Sequence, residues 1–198
     1  MARNKAFDKD EALEAAMLLF WKNGYADTSI QALEKAMNLK RSSIYNTFGN
    51  KRTLFQQTLV HYLEIVLMRF IFALEQGDTV KQSIKNILNE VIYLHFNPDY
   101  PGGCMVVLSV LENYQHDKET NIMLDGAIKL LQEAVVVRLK RGEEEGEFSH
   151  PVKHQDIANQ VVALITGMIV MAKANFAKKQ LQSLIDSTIQ LMFIQYTR

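Results

Sequence analysis

Residues 28–55 read TSIQALEKAMNLKRSSIYNTFGNKRTLF, a stretch that holds three helix starts, two basic pairs and an aromatic run. Gln31 follows Thr28 by three residues, and Ile30, Leu33 and Met37 fall at helical spacing. Thr28 is therefore expected to N-cap a short helix through a capping box. Asn38 closes it, because Asn tolerates the left-handed conformation that ends a helix. Leu39 then anchors a tight turn into a second short helix, Arg41 to Phe48, with Ile44 and Phe48 facing inward. Two short helices joined in this way predict a helix-turn-helix.

The charges extend this reading to DNA. Lys40 and Arg41 stand at the start of the second helix, and Lys51 and Arg52 follow Asn50, the expected N-cap of the next. A helix start carries partial positive charge and free amide donors, so a basic pair there is unfavourable unless an anion binds. Two such starts about ten residues apart suit neighbouring phosphates of one strand, with the helix between them in the major groove. The plainer alternative is two solvated Lys-Arg pairs. On the DNA reading, Thr28, Lys40, Arg41, Tyr45 and Lys51 hold phosphate. Ser42, Ser43 and Asn46, short side chains on the second helix, address base edges.

In these residues the chain resembles the TetR/AcrR family of bacterial transcriptional repressors. The matching features are Gly24-Tyr25, Thr28, the run Ser42-Ser43-Ile44-Tyr45-Asn46-Thr47-Phe48, and Lys51; together the match covers roughly residues 8 to 56. Two positions depart from the pattern. Lys40 stands where Ser or Thr often caps the recognition helix, and Arg52 where an acidic residue is common, which implies a stronger hold on phosphate. The resemblance implies a homodimer on a double-stranded operator, a small-molecule effector in a second helical domain, and a long connecting helix that moves when the effector binds.

Composition fits an ordinary globular chain: 198 residues, 48% hydrophobic and 22% charged, long enough for a sizeable core. Net charge is zero overall, with nine Lys/Arg against six Asp/Glu in residues 1–56 and thirteen against sixteen beyond. That asymmetry is too mild to indicate nucleic acid without the motif. One cysteine excludes an intramolecular disulfide framework and suits a cytoplasmic setting. No signal-like stretch opens the sequence, and the longest apolar run, Val161 to Ala172, falls short of the roughly 20 residues a membrane span needs, so no membrane partner is expected. With three prolines, nine glycines, no useful strand alternation and no repeats, the fold class is all-α. The expected organisation is a three-helix helix-turn-helix domain, residues 1–56, joined by a long helix to a ligand-binding and dimerisation domain, residues 57–198.

Taken in order, Asp8, Asp10 and Glu11 precede Leu13, Ala16, Met17 and Phe20, a helix that stops at Gly24 and backs the reader. From Asn50 a helix runs towards Leu74, about 36 Å at 1.5 Å per residue, and breaks at Gln76-Gly77-Asp78. Further helices are expected over Thr79 to Phe96, Gly103 to Gln115, Lys118 to Glu144, His154 to Ala177 and Lys179 to Tyr196. The last two are apolar around much of their circumference. Leu181, Leu184, Thr188 and Leu191 form one stripe beside Ile185, Ile189 and Met192, and Gly167 permits close helix approach. These two helices are the expected dimer interface, against the alternative of burial within one chain.

Met68, Phe72, Tyr93, Phe96, Cys104, Met105, Leu108 and Met123 are the candidates for an adaptable apolar effector pocket, although plain core packing accounts for any one of them. Cys104, in Pro101-Gly102-Gly103-Cys104-Met105, is delivered to the first turn of a helix, where amide donors favour thiolate and are expected to lower its pKa below about 8.5. The Gly-Cys element resembles a subgroup of the family in which such a cysteine borders the effector pocket and, in some members, senses electrophiles or oxidants. The alternative is an inert core thiol. The five histidines show no convincing metal-ligand spacing, and neither a phosphate-binding Gly-rich loop nor a nucleophile elbow is present. No cofactor, no metal and no enzymatic activity are expected. Two other readings stand beside the regulator: an all-α small-molecule-binding protein or enzyme without DNA binding, and a helical module that binds a protein through its apolar C-terminal face.

Overall fold

The computed structural model describes residues 7–112, 115–194 and 196 and, among these, contains helices and no strand. Three short helices come first: α1 (Lys9–Asn23), α2 (Ile30–Met37) and α3 (Arg41–Phe48). A long rod follows, made of α4 (Lys51–Tyr62), a π-helical turn (Leu63–Leu67) and α5 (Met68–Glu75). The remainder is α6 (Val80–Phe96), α7 (Met105–Leu111), α8 (Lys118–Glu144), α9 (His154–Lys173) and α10 (Lys178–Phe193).

Local chemistry explains most of these boundaries. The Asp8 carboxylate accepts from the Asp10 and Glu11 amides to start α1, and Gly24, at φ 81°, ends it with its N–H on the Phe20 carbonyl. Asn38 is left-handed at φ 51°, as the helix-turn-helix reading requires. Asn50, Thr79 and Asp117 each cap the helix that follows them.

The cap of α2 differs from expectation. Ser29, not Thr28, accepts the capping bond, from the Ala32 amide at 3.1 Å. Thr28 is 0% exposed, and its hydroxyl donates to the Gly24 carbonyl at 2.6 Å, tying the end of α1 to the start of α2. Other differences are smaller. α9 stops at Lys173 rather than Ala177, where Asn175 turns left-handed at φ 65°. α7 is confined to Met105–Leu111; of its expected extension, Asn113 and Tyr114 lie outside the described residues.

One apolar core runs the length of the chain. At its first end α1 lies across α2 and α4, burying Phe20, Trp21, Leu33, Ile44, Phe48 and Phe55. At the other, α6 packs on α5, α9 and α10, and α8 packs on α9. Arg138 of α8 is completely buried there: its guanidinium donates to Ser83 Oγ at 2.9 Å and to Glu147 Oε1 at 3.1 Å. Glu147 Oε2 in turn accepts from the Val80 amide, so one ion pair fastens α8 to the start of α6. By length and composition Lys51–Glu75 and His154–Lys173 could each span a membrane, a longer apolar reach than the sequence run indicated. In the fold, 33% and 39% of their apolar windows are buried within the helical core.

Candidate nucleic-acid interface and effector cavity

Helix α3 is held by α2 behind it and α4 beneath it. Ile44 and Phe48 point into the core, which turns Lys40, Arg41, Ser42, Tyr45 and Asn46 outward and leaves Ser43 half-buried. Period 3.6 dictates this division. Lys40 supplies no side-chain cap. Glu34 of α2 does so instead, its carboxylate accepting from the Arg41 amide at 2.7 Å, and that contact fixes α3 against α2. The Arg41 guanidinium folds over the Tyr45 ring, 5.4 Å from its centre, with a 3.3 Å bond to the Tyr45 hydroxyl. The absence of a Ser or Thr at position 40 was the one sign that a cap had to come from elsewhere; nothing singled out Glu34.

The second basic pair is divided. Lys51 lies over the Tyr25 ring, 4.5 Å from its centre, with Nζ 3.3 Å from the Ala26 carbonyl. Partial burial lowers its pKa, opposed by the nearby Glu112 and Asp27 carboxylates. Arg52, expected to strengthen phosphate binding, is turned the other way: it pairs with Asp117 at 2.8 Å. The Arg52 hydrogen bond and the Thr120 amide hold the Asp117 carboxyl at about 2.

That pair belongs to a seam between the reader and the helices beyond it. The Glu112 carboxylate accepts from the Tyr25 amide at 2.9 Å and covers Gly24 closely. A side chain on Gly24 would collide with it, which, with the positive φ, explains glycine there. The His116 ring stacks on Phe55 at 5.2 Å and lies equally close to Tyr25. Gln56 donates to Thr120 Oγ1 at 3.1 Å. No sequence pattern announced Glu112, His116 or Thr120 as partners of the reader, since all sit more than sixty positions from the residues they touch.

Beyond the seam is an apolar cleft with free space of about 50 Å3, walled by Tyr62, Leu63, Val66, Leu67 and Phe70 of the rod, by Cys104, Val106 and Val107, by Ala127, Ile128 and Leu131 of α8, and by Val162, Ile165 and Thr166 of α9. Of the eight expected pocket residues only Cys104 lines it. Met68 and Phe72 are 56% and 65% exposed on the outer side of α5. Tyr93 and Phe96 are also exposed, Tyr93 beneath the Arg69 guanidinium. Met105 is buried in the core, and Leu108 and Met123 are half-buried against it.

The Cys104 thiol behaves opposite to expectation: burial pushes it up. The Tyr62 hydroxyl and the Val106 and Val107 amides pull it down, but more weakly. Tyr62 is likewise buried, its phenol held well above the usual range by desolvation first and by Cys104 second. Among the described residues no cluster of His, Cys, Asp and Glu could hold a metal ion.

Comparison with known proteins agrees with this layout. The model of bacterial regulatory proteins of the tetR family matches residues 12–58, and that of the tetracyclin repressor-like C-terminal domain matches residues 81–188. An HTH-type transcriptional regulator of Bacillus subtilis, YezE, is 32% identical over 149 residues, 75% of this chain and 77% of its own length. The HTH-type transcriptional repressor ComR of Escherichia coli is 27% identical over 196 residues, covering 96% of this chain and 90% of the relative. Among solved structures, a cysteine mutant of the TetR family regulator CifR complexed with 26 bp double-strand operator DNA superposes with a TM-score of 0.86 at 27% identity, over 95% of this chain and 98% of that one.

Proposed function

The chain belongs to the TetR family of bacterial regulatory proteins and is a DNA-binding transcriptional regulator, and from that premise we propose that it is a cytoplasmic homodimeric repressor, released from a near-palindromic operator by a small, largely apolar effector. Membership of this family removes the reading as an all-α small-molecule-binding protein or enzyme without DNA binding. The observation that carries the proposal is the placement of one continuous rod. Lys51–Glu75 begins beneath the outward face of α3 and, about three turns later, becomes a wall of the apolar cleft. A ligand that parts the cleft acts on the same helix that positions the reader.

Dimerisation is assigned to α9 and α10. Within one chain Leu181, Ile185, Ile189 and Phe193 are buried against neighbouring helices, while Leu191 and Ile194 remain 69% and 65% exposed. On α9, Ala163, Gly167 and Val170 face outward, and a side chain at Gly167 would meet nothing within 4 Å. Outward-facing Ala163, Gly167 and Val170 on α9, together with exposed Leu191 and Ile194, suit a second copy of the same pair of helices. The two recognition helices then address half-sites about 34 to 36 Å apart or a multiple of that distance.

Exposed Ser42 and Asn46, with half-buried Ser43, are assigned to base edges; Lys40, Arg41, Tyr45 and Lys51 to phosphate. Thr28, enclosed beneath Gly24, supports the turn rather than presenting its hydroxyl. The test is a thermal-shift screen of metabolites and xenobiotics, repeated with the DNA upstream of the protein's own coding sequence. An effector must weaken DNA binding and DNA must weaken effector binding by the same factor, about 1–3 kcal/mol for a typical coupling. Ligand affinities that are identical with and without operator contradict the proposal.

A further inference from the structure

The cleft is apolar except at one end, where three polar groups meet. The Met105 amide donates to the Tyr62 hydroxyl oxygen at 3.3 Å, and that hydroxyl donates to Cys104 Sγ at 3.2 Å. The first bond fixes the phenol oxygen and leaves its proton to point at the sulfur, on the cleft wall. Sulfur is a weak acceptor, so the phenol holds a donor whose present partner is poor. The remaining polar lining group, the Thr166 hydroxyl, already donates to the Val162 carbonyl at 2.9 Å. Among the described residues neither a cation nor a carboxylate lines the cleft, so a charged ligand would lose its hydration without compensation.

Tyr62 also touches the reader. Its ring meets the Trp21 ring of α1 edge-on, with centroids 5.0 Å apart at 87°. It is the last residue before the π-helical turn, whose Leu63, Val66 and Leu67 form part of the cleft wall. Such turns recur at functional sites.

We propose that Tyr62 is the recognition group of this cleft, donating its hydroxyl proton to the carbonyl oxygen of an uncharged, otherwise apolar ketone or ester, in place of Cys104 Sγ. The inference rests on the effector reading above and specifies its chemistry. A carbonyl oxygen is the better acceptor, so the exchange favours the ligand, and the Cys104 thiol is the group displaced. At its ordinary value of about 10 a phenol is already a protonated donor at neutral pH, and burial raises it further. Any tilt of the Tyr62 ring needed to reach the carbonyl is felt by Trp21, and so by the helix that backs the reader.

Trp21 is the only tryptophan in the chain, so its emission reports on Tyr62 directly. The experiment titrates the full-length protein with cyclohexanone and 2-heptanone and with their hydrocarbon isosteres, methylenecyclohexane and 2-methyl-1-heptene. Binding is followed by competition with an apolar dye, and Trp21 by its fluorescence. The ketones should bind the native protein about tenfold more tightly than the hydrocarbons and shift Trp21 emission. Tyr62→Phe should remove that preference, while Cys104→Ala should keep or increase it, since it frees the phenol. Equal binding of ketones and hydrocarbons overturns the assignment of Tyr62 but leaves an effector cleft. Loss of the preference in Cys104→Ala makes the thiol the contact and overturns it too. Failure of all four compounds to bind overturns the inference together with the effector reading beneath it.

Discussion

The two ends of the rod were made by different kinds of information. The reader consists of neighbours in sequence: Asn38 turns the chain, Ile44 and Phe48 orient α3, Asn50 starts α4, and the thirteen residues from Asn38 to Asn50 carry them all. The cleft draws on the rod, α7, α8 and α9, and its wall residues span Tyr62 to Thr166. The first is a local pattern that different sequences can share; the second is a negative space whose shape depends on how distant helices rest on one another. The expected consequence is that damage to the reader changes DNA binding with little loss of stability, whereas damage around the cleft changes stability and ligand response.

The largest effect should come from Arg138, at the far end. Arg138→Met leaves the Glu147 carboxylate without its buried partner and should cost about 3 kcal/mol in denaturant unfolding. Adding Glu147→Gln should recover part of this. A loss below about 1 kcal/mol would show that the far end does not depend on its ion pair and would weaken the contrast. At the reader, Asn46→Ala should cost about 1–3 kcal/mol of discrimination at one base position in each half-site and leave the melting temperature near that of the native protein. Uniform weakening on all sequences would instead place Asn46 on phosphate.

Lys51→Ala sharpens the same comparison. If Lys51 leaves the Ala26 carbonyl to hold phosphate, the slope of log K against log salt should flatten by about 0.9 per site, twice in a dimer. An unchanged slope would make Lys51 a fastener of the Gly24–Tyr25 turn.

The smallest effect concerns pH. Desolvation lowers the pKa of His116 in the seam and of His95 on α6, where Lys173 adds to it. Both groups take up protons more readily when unfolded, so their contribution is complete above the ordinary histidine value of about 6.5 and is lost as pH falls through the folded values. His116→Gln should reduce this loss of stability between neutral pH and pH 5. A stability that rises on acidification over that range would contradict the burial of His116 against Phe55.

This contrast also explains what could be read before the structure. The bounds of α3 were legible to the residue, because the left-handed Asn38 and the 3.6 period act over a few positions. Thr28 shows the limit even there: Thr28-Ser29 offers two adjacent capping hydroxyls, and the choice between them was made by the close approach of Gly24. Arg52 shows another, since its side chain was claimed by Asp117, sixty-five positions away. Pocket composition misled for a third reason. Met68 and Phe72 have the right chemistry but stand on the face of α5 that α6 and α8 do not cover, and only packing decides which face that is. Cys104 lines the cleft, yet its titration is governed by desolvation and not by the short helix it precedes.

The most direct test is an equilibrium titration, by fluorescence anisotropy, of the protein on the duplex upstream of its coding sequence and on a scrambled duplex of equal length, at a fixed near-physiological salt concentration. The account predicts that the native duplex binds at least about a thousandfold more tightly, with two protomers per site. Equal affinity for the two duplexes, or binding by a single protomer, would contradict it.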